Sequence, residues 1–233
     1  MKKVWTKQWP KQCGSAGDDY GNSTAVDSVG NVYVTGWTEG DLDVNANAGY
    51  SDIFLTKWNA DGDWQWTRQW GSTEWDSGKS VAVDSVGNIY VTGTTGGGLD
   101  GNANAGRSDI FLTKWSGDGT KQWTKQWGST EWDYGNSVAI DSNGNIYVTG
   151  CTFGDIDGNT NAGGYDIFLT KWNADGTKQG TLQWGSAEND YGESVAIDSN
   201  DNIYVTGTTY GDLDGNTNAG KAELFLTKLV DEK

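Results

Sequence analysis

Histidine is absent from this 233-residue sequence, proline occurs once, cysteine twice, and 16 lysines and arginines face 32 acids. Each shortage excludes something. Without histidine there is no Ser-His-Asp or Cys-His relay, and the commonest zinc sites are lost. A formal charge of −16 opposes nucleic-acid binding, which needs Lys and Arg against phosphates. It favours solubility, cations or basic partners. No run of 18 apolar residues exists, so nothing predicts a membrane span. Met1-Lys2-Lys3 has the charge of a signal-peptide start, but no apolar segment follows it. Cys13 and Cys151 leave an internal disulfide, an intermolecular one and free thiols equally open.

Glycine (35 residues) and tryptophan (14) are abundant, and that aromatic content argues for a packed fold rather than disorder. Their placement is periodic. "NVYVTG" begins at Asn31, and "NIYVTG" begins at Asn88, Asn145 and Asn202, in steps of 57 residues. "DIFLTKW" begins at Asp52, Asp109 and Asp166, and "ELFLTKL" at Glu223, with the same step. Four strands are predicted per unit. In the second unit they are "SVAVD" (Ser80 to Asp84), "NIYVTG", "DIFLTKW" and "KQWTKQW", rich in β-branched and aromatic residues. Asp-Gly turns between the last two mark a tight hairpin. No segment has a helical period.

Four antiparallel strands repeated at constant spacing predict an all-β fold, a β-propeller of four four-stranded blades. A β-solenoid is the competing reading, though its repeats are shorter. The blades are expected at about 14–70, 71–127, 128–184 and 185–233, in one domain spanning 1–233. The sequence opens on "VWTKQW" (Val4, Trp5, Thr6, Lys7, Gln8, Trp9), which matches the closing strand of a unit. "PKQC" (Pro10 to Cys13) then reads as an inserted segment. Residues 1–9 are thus expected to complete the last blade. Within one chain this closes a ring; between chains it gives strand-swapped oligomers or filaments.

Taken together, "NIYVTG", "DGNTNAGGYDIFLTKWNADGTKQ" and "QWTKQWGS" resemble the bacterial β-propeller repeat family often called SBBP repeats, over essentially the whole chain. The resemblance implies a bacterial extracellular or cell-surface protein, mostly without defined activity. The family name refers to seven blades, against four here.

Two loops carry candidate sites. Asp155, Asp157 and Asn159, with Asp166 twelfth, partly reproduce the alternating oxygen ligands of a calcium loop. Asp41, Asp43, Asn45 and Asp52 repeat the pattern in the first unit, and Asp212, Asp214, Asn216 and Glu223 in the fourth. The other reading is a polar turn in which Asp and Asn cap their own backbone. The second loop, "GSTEWDSG" (Gly71 to Gly78) and its counterpart at Gly128 to Gly135, offers Trp75 with Asp76 and Trp132 with Asp133. An exposed indole beside a carboxylate suits stacking and hydrogen bonding of a sugar. The remaining tryptophans read as packing.

No catalytic residues are assigned. A non-catalytic structural or adhesive protein is therefore expected, self-assembling through its first strand. A lectin-like propeller is the alternative.

Overall fold

The computed structural model describes residues 6–230. Its first sheet contains β1 (Asp19–Val26), β2 (Val32–Thr38), β3 (Asp52–Trp58) and β4 (Trp64–Trp70). The second contains β5 (Asp76–Val83), β6 (Ile89–Thr95), β7 (Asp109–Trp115) and β8 (Lys121–Trp127). The third contains β9 (Asp133–Ile140), β10 (Ile146–Thr152), β11 (Asp166–Trp172) and β12 (Lys178–Trp184). The fourth has three strands, β13 (Asp190–Ile197), β14 (Ile203–Thr209) and β15 (Glu223–Leu229). Every sheet is an antiparallel meander in chain order, the blade architecture the repeat predicts.

Local chemistry sets these strands. The first hairpin of each blade turns on an Asp whose side chain accepts backbone N–H groups two and four residues on, as Asp84 does from Val86 and Asn88. Such Asx turns bend the chain without help from other elements. The inner strand carries a bulge after its glycine, between Gly78 and Ser80 in β5, which increases local twist. Opposite the bulge, Gly93 has no room for a side chain, because a Cβ would lie 1.9 Å from the Ser77 carbonyl oxygen.

The core lies between blades, not within them. Tyr33, Ile53, Leu55 and Trp70 on one face of the first blade pack on Val81, Ile89, Val91, Leu99, Phe111 and Trp115 of the second. The same positions recur at the next two junctions. Trp70 lies edge-on to Phe111 and tilted over Trp115, with ring centroids 6.4 and 5.0 Å apart. Each fully buried Ile, Leu or Phe contributes about 1.5–3 kcal/mol, so the junctions hold the molecule together.

Two expectations change. First, β15 has no fourth partner among the described residues, and residues 6–13 form no strand. Val4 and Trp5 lie outside the described residues. Among the described residues, nothing pairs with the β15 edge of the last blade. Second, "PKQC" is not an insertion. Trp9 lies against Gly62 as Trp66 lies against Gly119 and Trp123 against Gly176, again in steps of 57. "QWPKQCGS" (Gln8 to Ser15) therefore aligns without a gap on "QWTRQWGS" (Gln65 to Ser72). Pro10 stands for Thr67 and Cys13 for Trp70, and the segment equivalent to an outer strand is 7–13 rather than 4–9.

Gly93→Ala is expected to destabilise the protein by about 1–3 kcal/mol through overpacking at the bulge. Gly220→Ala, with nothing within 4 Å of its added Cβ, should be nearly silent; urea denaturation of both variants checks this.

Candidate functional site

The two predicted loops do meet. Ser51 and Ser108 form bridges with Trp75 and Trp132, and the Tyr50 amide donates to the Glu74 carbonyl. The long loop of one blade thus lies beside the strand-linking loop that opens the next. Their acids, however, are spent on different tasks.

In the long loop the first acid caps the turn. Asp41, Asp155 and Asp212 accept the backbone N–H of Asn47, Asn161 and Asn218, each at 2.8 Å. The third position, Asp43, Asp157 or Asp214, has a left-handed backbone with φ between 52 and 54°. Asp157 turns toward the outer strand, pairing with Lys178 at 2.8 Å and accepting from Thr181 Oγ1. Asn45, Asn159 and Asn216 donate to the carbonyls of Leu42, Ile156 and Leu213. The twelfth residue begins a strand, where Asp52, Asp166 and Glu223 accept the amides of Ala48, Ala162 and Ala219. No group of three or more acidic, Cys or His side chains fit to hold a metal occurs among the described residues. The oxygens fold the loop around itself.

The Trp–Asp pairs also separate. Trp75 and Trp132 are exposed at 41% and 36%, whereas Asp76 and Asp133 are fully buried. The reason is that each Asp is the first residue of an inner strand, not part of the loop. Asp133 accepts from the Ser129 amide and hydroxyl, and Asp76 does the same with Ser72. The indoles already have partners of their own. Arg107 stacks on Trp132 with its guanidinium 4.1 Å from the ring centroid, and Lys79 lies over Trp75. A sugar bound there would meet a ring face already covered by a cation, and neither Asp76 nor Asp133 is open to it.

Burial instead brings carboxylates together at the blade junctions. Beside Gly71, Asp52 Oδ1 and Asp76 Oδ2 both lie within 3 Å of where a side chain would start; Asp109 and Asp133 converge in the same way on Gly128. Burial raises Asp52, Asp76, Asp109 and Asp166 above the usual carboxylate range and pushes Asp133 up to about 6. Asp52 Oδ1, Asp109 Oδ1 and Asp166 Oδ1 have no hydrogen-bond partner. Cys151 is buried and Cys13 exposed, and both are free.

A third feature escaped sequence reasoning. Each complete blade holds a glutamine on its outer strand, Gln69, Gln126 or Gln183, whose Oε1 accepts the amide of Leu42, Leu99 or Ile156. Its Nε2 donates to the strand-opening Asp52, Asp109 or Asp166. The signal was present, since Gln precedes the last Trp in all three units, but the tryptophans beside it drew the packing argument.

The raised Asp133 predicts a pH effect of definite sign. Between about pH 4 and 6 the folded chain retains a proton there that the unfolded chain has released, so stability is present below that range and lost as pH rises through it. With a shift of about two units the effect is at most about 3 kcal/mol. Asp133→Asn, which keeps one acceptor oxygen, should flatten the dependence of the denaturation midpoint between pH 4 and 7. An unchanged slope would contradict the assignment.

Comparison with known proteins agrees with the geometry. The SBBP beta-propeller repeat model matches residues 8–43, 65–100, 122–157 and 179–214, again at uniform spacing through the first junction. The Regulatory protein FlaEY of Caulobacter vibrioides is 31% identical over 72% of this chain, which spans 20% of that protein. An uncharacterized WD repeat-containing protein, L264 of Acanthamoeba polyphaga mimivirus, is 25% identical over 78% of this chain and 15% of its own length. A crystallised Bacteroides caccae protein of unknown function matches with TM-score 0.49 and 12% identity, over 87% of this chain and 56% of that one. Four family matches, each spanning the outer strand's end and the first two strands of the next blade, place this chain in the SBBP beta-propeller repeat family.

Proposed function

We propose that this is a non-catalytic structural or adhesive protein of the bacterial cell exterior, whose copies join end to end by strand exchange. The observation that carries the reading is the open edge of the last blade. Leu224 and Leu226 of β15 are exposed at 83% and 68%, whereas their equivalents Ile53, Leu55, Ile110 and Leu112 are at 0%. These side chains lie on the face that the following blade covers at each internal junction, and beside them the far edge of β15 is unpaired among the described residues. An uncovered apolar face with a free edge is a template for another chain.

The two ends of the chain are complementary. Every internal junction carries a bond from an inner-strand amide to the preceding blade, namely Val81 to Ser23 Oγ, Val138 to Ser80 Oγ and Val195 to Ser137 Oγ. The next pair in this series is the Thr24 amide with Ser194 Oγ, which stand at opposite ends of the molecule. At the leading end, Trp9 and Cys13 lie over the face of the first blade, enclosing with Val32, Val34, Phe54 and Trp58 a cavity of about 340 Å³. Residues 7–13 are thus held as a fragment of a preceding blade, ready to present an edge to the β15 of another copy. Such a contact is head-to-tail and repeats.

The non-catalytic reading is supported by chemistry. Histidine is missing, and the only converging carboxylates described above are buried and repeated at successive junctions. The exterior location rests on the family resemblance.

Sedimentation velocity over a concentration series tests the assembly. The intact chain should form concentration-dependent oligomers. Leu226→Lys, which places a charge on the uncovered face of the last blade, should leave monomers, and Val29→Lys, at an exposed turn, should behave as the parent. Oligomers that persist in Leu226→Lys would refute end-to-end joining through β15.

A further inference from the structure

The fourth blade contains a receptor with no occupant among the described residues. In the first blade Gln69 Oε1 accepts the Leu42 amide at 2.9 Å, while Nε2 donates to the Gly40 carbonyl at 3.0 Å and to Asp52 Oδ2 at 3.1 Å. Gln126 makes the same three bonds to Leu99, Gly97 and Asp109, and Gln183 to Ile156, Gly154 and Asp166. Counting one repeat further gives the Leu213 amide, the Gly211 carbonyl and the Glu223 carboxylate.

All three groups are in place. Gly211 O accepts the Thr209 hydroxyl, as Gly40 O accepts that of Thr38. Glu223 Oε1 accepts the Ala219 amide, as Asp52 Oδ2 accepts that of Ala48. Beside them lies an open slot of about 270 Å³ lined by Leu213, Asn216, Glu223 and Phe225. One acceptor-seeking amide and two donor-seeking oxygens converge there, which is the complement of a primary carboxamide.

We propose that this slot binds the carboxamide of Gln12, carried on residues 7–13 of a second copy. The assignment rests on the end-to-end reading and gives it a specific lock. Gln12 stands at the repeat position of Gln69, one residue before Cys13 at the position of Trp70. A second copy is the occupant because this chain's own Gln12 lines the cavity over its first blade, while its own slot in the fourth blade is open. Asn216 supplies a further contact. Asn45, Asn102 and Asn159 each reach the carbonyl of an outer-strand threonine, at 3.5, 3.3 and 3.2 Å. The equivalent carbonyl is that of Pro10, which lacks an N–H but keeps its acceptor.

The test compares Gln12→Ala with Gln8→Ala in the intact chain. Gln8 matches Gln65, whose carboxamide bonds only to neighbouring carbonyls of its own turn. Both residues lie outside the strands, so neither variant threatens folding. Three lost bonds at a desolvated site predict association at least about tenfold weaker for Gln12→Ala, with Gln8→Ala at the parent value. Hydrogen exchange gives a second readout, since the Leu213 amide should gain protection on assembly of the parent and not of Gln12→Ala. If Leu226→Lys abolishes assembly but Gln12→Ala matches Gln8→Ala, the slot assignment fails and end-to-end joining stands. If Leu226→Lys does not abolish assembly, the joining itself fails. A monomer whose Leu213 amide is already protected would place Gln12 in its own chain and overturn the second-copy assignment.

Discussion

Sheet-on-sheet burial between successive blades is the constraint on which this molecule depends. No blade has a core of its own. Tyr90 points into the junction with the third blade, while Val91, its neighbour on the same strand, belongs to the junction with the first. A strand that alternates between two buried faces cannot leave either one in water without cost. The internal blades satisfy both faces, and the terminal ones satisfy one. That asymmetry explains why the burial of β14 and β15 falls so far below that of β6 and β7, although the sequences are nearly the same.

The same logic shows which parts of the fold were legible in the sequence. Strand identity, hairpin turns and the 57-residue period follow from local chemistry repeated four times, so each copy corroborates the others. The register of the first segment was not legible by the same route. "WTKQW" has tryptophans four residues apart, and a strand slipped by four residues keeps every side chain on its original face. Trp9 can therefore be matched to Trp70 or to Trp66 with almost equal hydrophobic sense. The packing of Trp9 on Gly62, with Cys13 taking the station of Trp70, selects one of them.

The acids of the candidate sites have other local partners for a related reason. Spacing of acids along a sequence reports where oxygens occur, not which way the backbone turns them. Asp157 sits at φ 54°, which swings its carboxylate to Lys178 and away from Asp155. Asp76 and Asp133 look like loop residues because Gly and Ser surround them, yet each opens a strand and is swallowed by the next junction. The glutamine network had the opposite fate. Its glutamines recur at the 57-residue period, but their role emerges only when the amide of a distant loop is seen to end on that side chain.

Acid content sets a counterweight to assembly. Every copy carries a formal charge of −16, so copies repel at a distance, and the proposed end-to-end contact has to overcome that repulsion. At about 0.15 M salt the screening length is roughly 8 Å, so that repulsion weakens as ionic strength rises. The proposed joint would be specific rather than merely apolar. Leu224 and Leu226 alone would accept any greasy surface, whereas the Leu213 amide, the Gly211 carbonyl and Glu223 penalise a partner that leaves them dry and unpaired. In that proposal apolar area would supply the attraction, and the polar slot would decide which strand is held.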